Sequence, residues 1–246
     1  MSSIISKSLR ASDNHLVHYD LYSQGHDKLI VIAPGFFNSK DALLMKELGK
    51  SLDDEYDVMI LDFRGHGKSK ELFYWTSREY LDLLALFKHV EKQYEKIGLI
   101  GFSLGGATGL IAASKLDIVD SIMAVSAPSE FEKIEYHFWE LKFNLDIQYS
   151  LLGEGRVGKG VRPGPFWLPK EKPKDVVKYL NCPVFYIHGT EDWLIKPWHS
   201  ELLYQETASK IKKLDIMQGM PHAEYMIKTH KDIFVRKVKD WFKETL

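Results

Sequence analysis

Leu99-Ile100-Gly101-Phe102-Ser103-Leu104-Gly105-Gly106 is the stretch that decides how this chain folds. An apolar run that reads as a strand passes into Gly-x-Ser-x-Gly, and a helix-forming segment follows. A serine hydroxyl is a poor nucleophile unless it is exposed, oriented and placed beside a base. A sharp strand-to-helix turn meets the first two needs by lifting the side chain above the sheet edge. Gly101 and Gly105 suit that turn because a Cβ at either position would crowd it. Gly and Ser are common in turns generally, so the reading depends on an acid, a base and an oxyanion site elsewhere in the chain.

Outward from this stretch, short apolar runs alternate with longer helix-patterned segments, as in a mostly parallel sheet covered on both faces. Residues 4–23 read as an antiparallel pair turning near Ser12-Asp13-Asn14. Lys28–Pro34 (KLIVIAP) reads as a buried strand, followed by a helix over 40–52. Tyr56–Phe63 and Lys96–Phe102 are the next strands, with helices expected over 76–94 and 104–116. Ser121–Ser126, Pro183–His188 and Lys213–Met217 complete the sheet, and a last helix is expected over 230–245. Between Pro128 and Lys178 the rhythm breaks. That segment begins helically (FEKIEYHFWELKF), then turns rich in Gly and Pro, and reads as an insertion over the carboxyl ends of the strands. The expected organisation is an α/β core of residues 1–128 and 179–246 with a cap over 129–178.

Bulk properties narrow the class. At 246 residues the chain fits one domain with a modest insertion, and 45% hydrophobic residues with 27% charged are ordinary for a globular protein. A formal net charge of -1 gives no reason to expect a nucleic-acid partner or an anionic membrane. The single cysteine, Cys182, excludes an internal disulfide and fits a reducing compartment. It reads as a small, partly buried residue. Met1–Lys7 lacks the apolar region of a secretory signal, and no run approaches the ~20 apolar residues of a membrane span. The expected location is the cytoplasm, with a small-molecule substrate as partner. The chain as monomer or as homodimer stays open.

Acid and base candidates follow the strands. Asp192, in Gly189-Thr190-Glu191-Asp192 after a late strand, can hold a histidine Nδ1–H and stabilise the imidazolium. Glu191 and Glu130 are the competing carboxylates. Among ten histidines His222 stands out, in the loop after the last strand, because the order is then Ser103, Asp192, His222. That order differs from those of chymotrypsin and subtilisin. For the tetrahedral oxygen, the Leu104 N–H is one expected donor. The other belongs to Gly35-Phe36-Phe37-Asn38-Ser39, with Phe36 favoured over Phe37.

These motifs together resemble the α/β-hydrolase fold, over nearly the whole chain. Asp62-Phe63-Arg64-Gly65-His66-Gly67-Lys68-Ser69 resembles the D-x-R-G-x-G-x-S loop of its esterase, peptidase and lipase branches, and is read as structural, so His66 is not the base. Gly-Thr-Glu-Asp and Pro-His match the family's acid and base positions. The usual His-Gly before the oxyanion donor is Pro34-Gly35 here. The resemblance implies a carboxylesterase-like serine hydrolase that needs no metal or organic cofactor. Thioesters, amides, aminoacyl peptides and carbon–carbon bonds are rival substrates of the same triad. A non-catalytic binding module is disfavoured because no triad member is missing.

Gly153 to Gly160 nearly spells a phosphate-binding loop, but Gly160 replaces the hydroxyl that would hold Mg²⁺. Arg156, Lys159, Arg162, Lys170, Lys172, Lys174 and Lys178 make this half of the cap basic. The plainer explanation is a solvated loop, and the sharper one a greeting for an anionic group. Phe37, Trp139, Phe166, Trp167 and Trp193 are candidate pocket residues for a hydrophobic or aromatic acyl part.

Overall fold

The computed structural model describes residues 3–134 and 160–246, and eight strands within them form one sheet. β1 (Ser3–Arg10) and β2 (Leu16–Ser23) make the opening hairpin, turning through Asn14 at φ 69°. β3 (Lys28–Ala33), β4 (Asp57–Asp62), β5 (Lys96–Phe102), β6 (Ser121–Val125), β7 (Val184–Gly189) and β8 (Lys212–Met217) follow. The spatial order is β1-β2-β4-β3-β5-β6-β7-β8, with β2 antiparallel to both its neighbours and every later pairing parallel. The order reverses at β3, between β4 and β5. In open α/β sheets that switch point is where the carboxyl ends part and a ligand crevice opens.

Strand alternation divides the core in two. Leu29, Val31, Met59, Leu61, Ile97 and Leu99 face one side. There they meet α2 (Tyr80–Val90) and α3 (Leu104–Ala113) through Leu83, Leu86 and Leu110. Ile30, Ile32, Val58, Ile60, Ile100 and Phe102 face the other side, against α1 (Leu43–Leu52) and the C-terminal helix. In α1 the buried Leu44, Met45, Leu48, Gly49 and Leu52 form one apolar stripe, as a helix lying on a sheet requires. By contrast every residue of α3 is buried, so this helix sits inside the molecule directly behind Ser103.

Some boundaries differ from expectation for local reasons. The helix expected over 40–52 starts at Leu43 because a Ser39–Ala42 turn precedes it. The one expected over 76–94 covers Tyr80–Val90, since Trp75 and Thr76 take φ of 55° and 74°, outside any right-handed helix. After β6, Phe131–Lys133 is a 3-10 turn, and the rest of the expected helical stretch lies outside the described residues. The returning chain lies along the 65–75 loop: His66 bridges Val161, Phe73 bridges Pro163, and the Phe73 N–H bonds to Arg162 O. A short α4 (Pro173–Val176) leads back to β7, and α5 (Trp198–Glu206) links β7 to β8. The last helix, α6 (Tyr225–Thr245), starts earlier than residue 230 and leaves helical geometry at His230 (φ −144°, ψ 50°).

Candidate active site

Ser103 sits on the turn between β5 and α3 at φ 50°, ψ −113°, a conformation that costs a non-glycine residue about 1–3 kcal/mol. The turn survives because both sides are held: the Ser103 N–H bonds to Val125 O at 2.8 Å and the Ala107 N–H to Ser103 O at 3.1 Å. It also needs its glycines. A Cβ on Gly105 would lie 2.1 Å from Ala33 O, and one on Gly101 would lie 2.5 Å from Gly106 Cα.

Ala33 pairs with Gly101, and this β3–β5 register carries Gly35 alongside Ser103. A Cβ on Gly35 would stand 3.4 Å from Ser103 Cβ. Gly35-Phe36-Phe37-Asn38 closes as a turn, with the Asn38 N–H on Gly35 O at 3.1 Å and Phe37 at φ 67°. A bulky residue in this left-handed position is uncommon. Leu104 opens α3, where backbone N–H groups have no partner inside the helix. The Phe36 N–H likewise forms no hydrogen bond among the described residues.

Asp192 is buried and held by its own turn, its Oδ1 accepting the N–H groups of Leu194 (3.0 Å) and Ile195 (2.8 Å). Its Oδ2 lies 2.7 Å from His222 Nδ1. Burial pushes the carboxyl pKa up, but His222 and the bonds from His188 and His222 outweigh it and hold the pKa far below the usual range. An ionised Asp192 only accepts, so His222 carries its proton on Nδ1 and Nε2 is the basic nitrogen.

The loops that carry Asp192 and His222 pack tightly together. The Glu191 N–H bonds to Met220 O, the Gly219 N–H to Thr190 Oγ1, and a Cβ on Gly189 would stand 2.0 Å from Met220 O. From the Ser103 side, β6 supplies Val125 to Ser103, and Ser126 just beyond it meets the His222 loop, whose Ala223 N–H bonds to Ser126 Oγ at 3.1 Å. Ser103, Asp192 and His222 are thus brought to one end of the sheet.

Sequence reading missed the second imidazole on Asp192. His188, fully buried at the end of β7, puts Nε2 2.8 Å from Ile195 O and 3.2 Å from Asp192 Oδ2. Ser200 Oγ lies 2.7 Å from its Nδ1. A carbonyl can only accept, so His188 Nε2 carries the hydrogen, and in the neutral ring the Ser200 hydroxyl donates to Nδ1. The signal was the pair His188 and Asp192 flanking one turn, which a strand pattern hides.

The competing groups have other partners. Glu191 is exposed, whereas Glu130 is buried among Lys133 (2.8 Å), Lys174 (3.1 Å) and Lys172 (3.5 Å). His66 is enclosed, with Nδ1 3.1 Å from Arg64 O, and burial pushes its pKa down to about 4. Within the same loop Arg64 is buried between Asp82 and Asp13, both at 2.6 Å, and Asp62 accepts the N–H groups of Lys40 and Lys68. Burial pushes the Cys182 thiol up to about 12.

Of the pocket candidates, Phe37 packs against Phe36 (centroids 4.2 Å apart), which also meets Phe73 (5.2 Å) and Trp75 (5.6 Å). Trp193 lies 6.3 Å from His222, ring to ring. Phe166 and Trp167 are 65% and 73% exposed and pack edge-on against each other, with centroids 5.4 Å apart. Trp139, Arg156 and Lys159 lie outside the described residues. Arg162 bonds to Gly67 O and Lys170 to Phe166 O, so the described basic residues of this segment largely serve local structure. No group of three or more His, Cys, Asp or Glu side chains placed to hold a metal ion occurs among the described residues, nor any helix long and apolar enough to cross a membrane.

The sequence model of the alpha/beta hydrolase fold family matches residues 28–151, half of the chain. Serine hydrolase BPHL of Mus musculus is 22% identical over 98% of this chain and 87% of its own length. Caffeoylshikimate esterase of Arabidopsis thaliana is 26% identical over 77% of this chain and 69% of its own. Among solved structures, the Pyrococcus furiosus esterase Pf2001 superposes with a TM-score of 0.80 at 20% identity, over 99% of this chain and 93% of that one. The esterase RhEst1 from Rhodococcus sp. ECU1013 matches over the full length of both chains with a TM-score of 0.78 at 15% identity. With its strand order, its strained serine turn and this family match, the chain belongs to the α/β-hydrolase fold family.

Proposed function

We propose that this protein is a serine hydrolase that cleaves a small to medium carboxylic ester with a hydrophobic or aromatic acyl part. The observation that carries the reading is the 2.7 Å contact of Asp192 with His222 Nδ1 at the sheet end that also holds Ser103 in its strained turn. Ser103 Oγ attacks the ester carbonyl while His222 Nε2 takes its proton, and Asp192 stabilises the imidazolium. The Leu104 and Phe36 N–H groups receive the oxyanion, each worth about 3–4 kcal/mol in comparable sites. His222 then protonates the departing alcohol, and the same nitrogen activates the water that releases the acid.

No step requires a metal or an organic cofactor. Phe36, Phe37 and Trp75 supply an aromatic wall beside the oxyanion loop, which supports an apolar acyl group. Trp193 flanks the base, and residues 129–178 serve as the cap. The names of the esterase and serine hydrolase relatives agree with this class of reaction.

The test is labelling with a fluorophosphonate probe together with turnover of p-nitrophenyl esters, a matched thioester and an aminoacyl anilide. The expected result is Ser103-dependent labelling and a preference for butyryl or benzoyl esters over the other bonds. Activity that survives Ser103→Ala would overturn the mechanism, and faster anilide or thioester cleavage would overturn the ester assignment.

A further inference from the structure

Glu224 stands two residues beyond His222, at the N-terminal cap of α6, and is 6% exposed. No ion pair to it is formed among the described residues, although a buried carboxylate without a cation is costly. The α6 N-terminus offers partial compensation, because its dipole favours negative charge there. What the carboxylate touches is the oxyanion loop. Asn38 Nδ2 donates a hydrogen bond to Glu224 Oε1, and Asn38 is itself only 4% exposed. Glu224 Oε2 lies 3.6 Å from the place where a Gly35 Cβ would stand, the place that is also 3.4 Å from Ser103 Cβ.

We propose that Glu224 and Asn38 form a latch that sets the oxyanion loop at a fixed distance from the base loop, which makes Glu224 a positioning residue. The inference rests on the serine-hydrolase reading above. Asn38 closes the turn that contains Phe36, so a tie on its side chain fixes the backbone on which that donor lies. The loop's other ties reach it from elsewhere: Lys40 N–H bonds to Asp62, and Gly160 N–H bonds to Phe37 O. Among the described residues, the Asn38–Glu224 bond joins it to the segment that carries His222. Oxyanion donors work only when they meet the oxygen the transition state develops, so a loosened loop costs turnover more than substrate binding.

The experiment compares Asn38→Ala, Glu224→Ala, the double variant and Glu224→Gln, with p-nitrophenyl butyrate as substrate and phenylboronic acid as a tetrahedral mimic. Each alanine variant is expected to lower kcat about 10- to 100-fold, the scale of a misplaced group, with KM within about threefold. Affinity for the boronic acid should fall in step. The double variant should be no slower than the worse single, since both remove one bond. Glu224→Gln keeps an acceptor for Asn38 and should recover most of the loss. Thermal unfolding is followed for all four, and Asn38→Ala with Glu224→Gln decides the matter if Glu224→Ala fails to fold. Multiplying losses in the double variant, unchanged boronic-acid affinity, or Glu224→Ala at full speed would each overturn the latch alone. Labelling and turnover that persist in Ser103→Ala would overturn the hydrolase reading, and the latch with it.

Discussion

Replacing Asp192 by Asn removes one charge and almost no volume, and the surrounding bonds dictate how the amide must sit. Leu194 and Ile195 present two N–H groups to Oδ1, so an oxygen is required there. Turning the amide the other way would leave two buried donors facing an NH₂, at about 1–3 kcal/mol each. The Asn oxygen therefore stays on the turn, and its NH₂ faces His222 Nδ1 and His188 Nε2. His188 cannot yield, because its hydrogen is directed to Ile195 O while Nδ1 accepts from Ser200. His222 can, by moving its proton to Nε2, which disarms the nitrogen that receives the Ser103 proton in the proposed mechanism. The expected loss is about 10⁴-fold in kcat, or about 5.5 kcal/mol, as for a wrong tautomer in other serine enzymes. Steady-state hydrolysis of p-nitrophenyl butyrate near pH 7.5 measures it, with circular dichroism to show that the fold is kept. If Asp192→Asn stays within tenfold of the parent while Glu130→Gln is crippled, the acid is misassigned and the tautomer reasoning fails.

Two further perturbations address the scaffold. His66 is kept neutral by burial, its pKa pushed down to about 4, whereas an unfolded histidine titrates near 6.5. The unfolded state therefore gains a proton first as pH falls, so stability complete above about pH 6.5 is lost progressively toward pH 4, by about 3 kcal/mol at most. Denaturant unfolding at pH 7 and pH 4.5 should show that decline, and His66→Gln should flatten it; an identical slope in both proteins would refute the assignment. Gly105→Ala would drive a Cβ to within 2.1 Å of Ala33 O, a backbone atom that cannot swing away. A loss of more than about 3 kcal/mol is expected, beyond ordinary overpacking. Soluble yield and melting temperature test this, and a Tm within about 2 °C of the parent would contradict it.

Elements whose pattern is local were readable before folding. KLIVIAP and the run into Ser103 announce strands because buried parallel strands are apolar on both faces. Gly101 and Gly105 announce the turn because a Cβ at either would strike backbone, Gly106 Cα for the first and Ala33 O for the second. The chain order of Ser103, Asp192 and His222 was also visible, since order survives in one dimension. Where sequence reading failed, the deciding partner was remote or the conformation costly. A helix period near 76 looked continuous, yet Trp75 and Thr76 take left-handed geometry against the returning 160–164 segment.

The sequence by itself determined the parallel α/β architecture, the position of the serine turn and the candidates for acid and base, because periodicity, glycine spacing and chain order are properties of neighbours along the chain. Chain order favoured Asp192, but tertiary structure decided which carboxylate meets His222, since Asp192, Glu191 and Glu130 all carry the carboxylate that the contact needs. Contacts across the sheet end separate them: Glu130 is drawn to three lysines, Glu191 faces solvent, and Asp192 is enclosed with two imidazoles. The same holds for Ser103, whose pentapeptide is visible in one dimension. Its strained turn persists only because β6, α3 and the glycine-lined crossing hold it from three sides.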